Sequence, residues 1–346
     1  MTSNQDLHNI LLDDANAVGL DTDQESNSTS LDKITFNYET IHDDAVFLET
    51  VERSIVEKGA AIIENYPMPT MIEFSHLAAD VIKPLMTYSG GTNSREDLGG
   101  GALSVGTEPP HVDVASHNEM SYYFSYPERV MFGCLKCPHE RGPTVIADNH
   151  QVTIDMLQTA VGQKLWQHGV TYIRNFHNAA CDEDQISLRS WQEAFGVQTA
   201  AELIQLCNDM GWTHEFNSHG SVRISYTLPA YEFDPVLQQN LFFTSLGNHG
   251  IAFDHWAPFN TLPYDERPYH ITYGNGDPIP MADLDCFTRV FSMHEIPVHW
   301  KAGKVAILDN RRYTHARPVF TLHEGEKRVL GVQMGMKTTR LGQKES

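Results

Sequence analysis

Residues 115–133 read ASHNEMSYYFSYPERVMFG. A histidine and a glutamate, His117 and Glu119, stand two positions apart, and aromatic residues, a proline and an apolar run follow. Side chains at i and i+2 of a strand point the same way, so this pair can reach one ion from an extended edge without bending the backbone. Spacing alone is not specific. His111 and Asp113, six residues earlier, repeat it, and a chain with 18 histidines and 45 acidic residues produces such matches by chance. The alternative for either pair is a solvated or hydrogen-bonded strand edge.

The chain around this stretch has 346 residues, enough to bury an ample core as one large domain or two. Its formal charge of −21 argues against nucleic acid and anionic membrane surfaces as partners, since both need a basic face. No segment approaches the roughly 18 apolar residues of a membrane span. The start, MTSNQDLHNILLDDANAVGLDTDQESNSTS, lacks the basic head and apolar centre of a secretory signal, so a cytoplasmic location is expected. Five cysteines, few and odd in number, fit reduced thiols better than a disulfide framework. Cys134 and Cys137 form one C-x-x-C without a second pair, which reads as strand packing rather than a zinc or redox site.

Residues 1–33, rich in Asp, Asn, Ser and Thr, read as a mobile N-terminal segment. The remainder, 34–346, reads as a single domain, with no internal repeat and no linker. Phe47, Leu48, Val51 and Ile55 recur at helical spacing before a stop at Gly59, and AAIIENY follows as a buried strand. Met71, Phe74, Leu77, Ala78 and Val81 mark a second helix with Thr70 as its cap. The glycine-rich residues 88–106, YSGGTNSREDLGGGALSVG, read as a loop at a site rim. Strands are expected at 130–137, in VTYIRN, in VAILDN and in RVLGVQMGMK, with helices over 153–169, 199–210 and around Leu284 to Phe291. Residues 178–240 otherwise read as loops. The pattern is an α+β chain with a mostly antiparallel core.

A 2-His-1-carboxylate triad leaves positions open on Fe(II), and it needs a second histidine from elsewhere in the fold. The stretch AILDNRRYTHARPVF, residues 306–320, offers His315 just after a buried strand, with Arg317 beside it and Arg328 opening the last strand. An arginine there can grip a carboxylate with two parallel hydrogen bonds. The same two histidines and Glu119 also suit zinc with a bound water, so a zinc hydrolase stays open on these residues. So does a protein that binds iron or a ligand without turnover.

Taken together, HNEMSY at 117–122, FGCLKCPHERGPTVIAD at 132–148, VTYIRN at 170–175 and LDNRRYTHAR at 308–317 carry a resemblance. The chain resembles the Fe(II)/2-oxoglutarate-dependent dioxygenases of the taurine-dioxygenase-like (TauD/TfdA, clavaminate synthase-like) family. The resemblance implies His117, Glu119 and His315 as iron ligands, which selects HNEMSY over HVD and leaves His111 and Asp113 to an approach loop. It implies Thr144 and Arg328 as partners of the 2-oxoglutarate carboxylate, with Arg317 assisting or serving as an ion pair. Thr144 lies 25 residues after Glu119, and Arg328 lies 13 after His315. Two departures stand out. The family's Gly-Gly-x-Thr turn is RGPT here, and Val332 occupies a place where some members carry a further arginine; both favour the non-catalytic alternative.

The fold implied is a double-stranded β-helix, a jelly roll with helices packed outside. The activity implied is oxidation of an unactivated C–H bond with O2, 2-oxoglutarate leaving as succinate and CO2. Glu119 disfavours halogenation, which in related enzymes goes with loss of the carboxylate ligand. The substrate implied is a small molecule, an amino acid or amino-acid derivative of biosynthesis, free or carrier-tethered. Hydroxylation, desaturation and oxidative cyclisation all remain open. Arg95, Tyr122, Arg174 and Asn248 are expected on the substrate side of the cavity.

Overall fold

The computed structural model describes residues 31–106, 108–138, 141–181, 187–246 and 250–340. Most of the expected mobile segment, residues 1–30, and Asn248 lie outside the described residues. Its last three residues, 31–33, join Ile34 in a helical turn, α1 (Leu31–Ile34), with Ile34 buried.

The strands run in chain order as β1 (Thr35–Asn37), β2 (Ala60–Glu64), β3 (Asp97–Gly99), β4 (Ala102–Ser104), β5 (Val114–His117) and β6 (Ser125–Lys136). They continue as β7 (Thr144–Asp148), β8 (Val170–Phe176), β9 (Thr213–Phe216), β10 (Val222–Leu228), β11 (Tyr231–Asp234) and β12 (Gln239–Phe242). The last are β13 (Tyr269–Tyr273), β14 (Glu295–Val298), β15 (Val305–Asp309), β16 (Tyr313–Arg317) and β17 (Val329–Thr339). One sheet has the order β1-β2-β15-β6-β17-β4-β3, and a second has the order β14-β7-β16-β5. The chain alternates between the two: β5, β7, β14 and β16 belong to the second sheet, and β6, β15 and β17 to the first. That alternation over a shared core is the double-stranded β-helix.

Period-2 geometry explains the layering. In β2, Ala60 and Ile62 join Phe132, Ile146, Leu308 and Val332 between the two sheets. Their neighbours Ala61 and Ile63 face the other way, onto Phe47, Val51, Phe74 and Leu77 of the helices α2 (Asp44–Lys58) and α3 (Met71–Val81). A strand covered on both faces reads as a continuous apolar run, as AAII does. Both helices start where side chains satisfy their free N–H groups: Asp43 accepts from Val46, and Thr70 forms a capping box with Glu73. Gly59, in the left-handed conformation at φ +80°, ends α2 and turns the chain into β2.

Three elements differ from the sequence reading. The glycine-rich rim is not all loop: β3 and β4 pair antiparallel, and Gly99, Gly100 and Gly101 take positive φ at their turn. The helix expected over 153–169 is two, α4 (Asn149–Leu157) and α5 (Ala160–His168). Thr159 caps the second, and a Cβ on Gly162 would lie 1.9 Å from the Met156 carbonyl oxygen. Within 178–240, β9, β10 and β11 are strands and Trp191–Phe195 is a short helix rather than loops, β9 and β10 joining a third sheet of order β13-β8-β10-β9. Val222, Ile224, Tyr226 and Leu228 all point inward, but the interleaved Arg223, Ser225 and Thr227 give the segment a loop-like composition.

Close approach also fixes Gly335 on β17, where an added Cβ would meet the Ile82 carbonyl oxygen at 1.7 Å. Backbone cannot swing aside as a side chain does. Gly335→Ala is therefore expected to lower stability in urea unfolding by about 1–3 kcal/mol, the usual cost of overpacking; an unchanged midpoint would show that residues 82–86 yield freely.

Candidate metal centre and its cavity

Strand pairing builds the centre. β5 and β16 run antiparallel with His117 directly opposite His315, and the two imidazoles lie 4.3 Å apart between ring centroids. β5 ends at His117, so Glu119 is not on the strand edge its spacing suggested. A turn delivers it. The Glu119 N–H donates to Asn310 Oδ1 at 2.7 Å, and Asn310 Nδ2 donates to the carbonyls of Glu119 and Pro127, both at 2.9 Å. Asn118 Nδ2 donates to the Asn310 carbonyl at 2.7 Å. Met120, fully buried, completes the turn in the left-handed region at φ +56°, a conformation that persists only where its surroundings hold it. One ligand atom each of His117, Glu119 and His315 then lie within 4.8 Å of one another, all three residues buried. His111 is exposed, its Nε2 on the His255 carbonyl at 3.1 Å, and it takes no part.

The electrostatics suit a cation. His117 Nδ1 lies 2.9 Å from the Ala115 carbonyl; a carbonyl only accepts, so the proton sits on Nδ1 and the Nε2 lone pair is free. Burial, reinforced by His315, pushes the His117 pKa down to about 3, which keeps the imidazole neutral. Burial alone would raise the Glu119 pKa, but Arg95, His315 and His117 outweigh it and hold the carboxyl well below its usual range. Glu119 Oε2 stands 3.7 Å from His315 Nε2. Two imidazoles, one of them fixed neutral, and an ionised carboxylate are the donor set of non-haem Fe(II) sites, so these residues fit such an ion.

Beside the triad opens a cavity of about 1100 Å³, solvent at its mouth included, and Thr144 and Arg328 share its wall. Trp300 Nε1 donates to Thr144 Oγ1 at 3.0 Å, which leaves the hydroxyl proton to donate. Arg328 Nε donates to the Gly142 carbonyl at 2.9 Å, and among the described residues no carboxylate pairs with this arginine. Burial pushes its pKa down to about 10. The RGPT turn resolves physically. Gly142 is left-handed at φ +62°, and an added Cβ would lie 3.0 Å from Arg328 Cδ and Nε. Arg141, in place of a second glycine, reaches Glu326 at 2.6 Å. One glycine is enough, and Pro143 passes straight into β7.

The remaining arginines are committed elsewhere. Arg317 spends its fork on the carbonyls of Glu108, Pro109 and Val112, at 3.1, 3.1 and 2.7 Å, so it anchors the approach loop. Arg174, only 2% exposed, holds the Gly90 carbonyl at 2.6 Å and Thr92 Oγ1 at 3.1 Å. Tyr122 lines the cavity and accepts from the Thr92 N–H at 3.4 Å. Arg95 lines it too, but its hydrogen bond goes to Glu119, Nη2 to Oε1 at 2.9 Å. Cys134 is buried in the core between the sheets, and Cys137 Sγ donates to the Arg141 carbonyl. Both thiols are free. Trp300 and Asn310 were not distinguishable by pattern: one looks like a core tryptophan, the other like a turn asparagine.

The chain matches the model of the family described as "Taurine catabolism dioxygenase TauD, TfdA family" over residues 23–333. It belongs to that family. The dapdiamide synthesis protein DdaC of Enterobacter agglomerans is 26% identical over 283 residues, which cover 81% of this chain and 83% of that protein. A clavaminate synthase-like protein of Arabidopsis thaliana is 26% identical over 271 residues, covering 76% and 78%. A crystal structure of a taurine dioxygenase from Burkholderia xenovorans overlays with a TM-score of 0.48 at 12% identity, covering 89% of this chain and 88% of that one. As a TauD/TfdA dioxygenase the protein is a non-haem Fe(II) enzyme that uses 2-oxoglutarate. No helix among the described residues is long and apolar enough to cross a membrane.

Removing the Asn310 side chain isolates the bonds that hold the triad turn. Asn310→Ala leaves three buried backbone groups without partners, and at about 1–3 kcal/mol for each unsatisfied group, relaxation allowed, a loss of about 2–5 kcal/mol is expected in urea unfolding. A loss under half a unit of that scale would show that the turn is held by Asn118 and its neighbours instead.

Proposed function

We propose that His117, Glu119 and His315 hold the Fe(II), that Arg328 and Thr144 hold the far carboxylate of 2-oxoglutarate, and that the substrate is a small amino-acid-derived molecule. Arg328 is the observation that carries this reading. It is a half-buried cation on the triad's own cavity, with one carbonyl partner and no carboxylate among the described residues, and such a group calls for an anion from outside the chain. Thr144, its proton uncommitted, faces the same space.

Bound iron with 2-oxoglutarate and O2 supplies the oxidant for an unactivated C–H bond, and 2-oxoglutarate leaves as succinate and CO2. The protein's part is placement. Arg328 and Thr144 fix the cosubstrate's far end, so that its reacting end meets the triad in one orientation. Phe132, Tyr172 and Ile271 on the cavity wall keep water from the oxidised carbon. Glu119 fills the carboxylate position, which favours oxygen insertion, desaturation or ring closure over halogenation.

On the substrate side, Glu108 and Asn93 meet at 2.5 Å on the cavity wall with Tyr88 and Tyr269 nearby. A carboxylate flanked by aromatic rings suits an ammonium group, as an amino acid or its carrier-tethered derivative would present. A relative named for dapdiamide synthesis supports a role in biosynthesis of a specialised small molecule. Five reduced cysteines fit action in the cytoplasm.

Anaerobic titration tests the core of this reading. Fe(II) followed by 2-oxoglutarate is expected to give the weak visible charge-transfer band of the chelate, bleaching on air exposure as succinate forms. His315→Ala should abolish iron binding and the band together. Arg328→Gln should retain iron binding but weaken 2-oxoglutarate by about 10–100-fold, the worth of hydrogen bonds to a charged partner. Equal cosubstrate affinity in that variant rejects Arg328 as the anchor.

A further inference from the structure

Arg95 was expected to meet substrate, yet it sits against the triad. Its side chain is 9% exposed, and that of its partner Glu119 is 5% exposed. The bond to Glu119 Oε1 is the one hydrogen bond it makes among the described residues; its Nε is buried with no acceptor, and its guanidinium lies 4.6 Å over the Tyr88 ring. A buried guanidinium is costly to desolvate, so its single polar contact marks what it is placed for. The two carboxylate oxygens of Glu119 are thereby sorted. Oε1 belongs to Arg95, while Oε2 faces His315 Nε2 at 3.7 Å.

We propose that Arg95 is a positioning residue of the metal centre, holding Oε1 of Glu119 off the ion so that the carboxylate binds through Oε2 alone. The coordination position that a second carboxylate oxygen would occupy then stays open for cosubstrate or O2. This rests on the triad reading above.

The segment that delivers Arg95 is built for fixed placement. Arg174 grips Gly90 and Thr92 from below, Gly90 N–H donates to the Ala194 carbonyl at 2.6 Å, and Ser94 Oγ donates to the Leu188 carbonyl at 3.2 Å. An added Cβ at Gly90 would lie 2.2 Å from the Tyr123 ring, so the backbone is pressed flat against the core there. Arg174, a buried cation without a carboxylate partner among the described residues, thus acts on the metal centre through this segment. The rim of the substrate cavity and the coordination of Glu119 share one mechanical link.

The experiment uses full-length Arg95→Gln, Arg95→Lys and His315→Ala beside the unaltered protein, with Co(II) as probe because its visible bands weaken as coordination number rises. Arg95→Gln is expected to bind Fe(II) and Co(II) about 10–100-fold more weakly, the usual range for loss of a ligand's hydrogen-bond partner. Its Co(II) bands should also weaken as Glu119 turns to bind through both oxygens. Arg95→Lys should restore part of the affinity, which a merely structural role would not predict. Metal affinity within twofold of the unaltered protein and an identical Co(II) spectrum in Arg95→Gln overturn the proposal. Should that variant not fold, Arg95→Lys decides on the same two readouts, intermediate values supporting and unaltered values overturning. If His315→Ala also keeps its metal, the triad reading itself fails; if it loses the metal while Arg95→Gln does not, only the role of Arg95 falls.

Discussion

Two strands of the smaller sheet, β5 and β16, are paired so that His117 and His315 face each other across the ladder. Everything chemical in the protein depends on that register. Side chains on a strand alternate with period two, so a slip of one residue would turn one imidazole to the opposite face and scatter the triad. The register is held from the side: β16 also pairs with β7, placing His315 against Ile146, and Ile146 is locked in the core between the sheets. β7 opens with Thr144. The strand that fixes His315 therefore also carries the Thr144 hydroxyl on the same cavity, and neither can shift without the other.

The chain is strongly acidic, with a formal charge of −21, yet its cavity is walled by Arg95, Arg174, Arg317 and Arg328 against two glutamates, Glu108 and Glu119. Net charge describes the outside of a protein; the inside is set by which few charges are buried and what they meet. Of the four arginines, one is tied to Glu119, and two are spent on backbone carbonyls and a hydroxyl. Arg328, half-buried, is the one of the four whose only hydrogen bond among the described residues is a single Nε–H to a backbone carbonyl, so both its terminal nitrogens are left to a ligand. An acidic exterior and a cationic cavity are compatible because low-dielectric walls focus the local field.

What the sequence disclosed follows the range of the interactions involved. Elements set by local periodicity, such as α2 with its stop at Gly59, α3 with its cap at Thr70, or β2 with its apolar run, were legible because each signal lies next to the pattern it bounds. The triad was legible through motifs, which the family resemblance ordered. Glu119 shows where spacing misled: two residues from His117 suggested a common strand, whereas the structure uses a left-handed Met120 and the distant Asn310 to bring the carboxylate in. Arg95 and Arg174 show the deeper limit. Each had the composition of a substrate ligand, and only tertiary placement reveals that their donors reach Glu119 and the rim segment.

The cavity is thus divided by rigidity as well as by chemistry. Its wall carrying Thr144 and Arg328 rests on the second sheet and its turn, with Gly142 allowing Arg328 to pass close and Trp300 fixing the Thr144 hydroxyl. Its other wall is the segment around Arg95, tied down by side chains rather than by a long strand ladder. A sheet ladder fixes a strand along its length, whereas this segment is fixed at a few points, by the Arg174 bonds and by close packing at Gly90. Thr144 is thus placed by a sheet, while the arginine that meets Glu119 is placed by a rim segment that Arg174 grips, so the two walls answer to different parts of the fold.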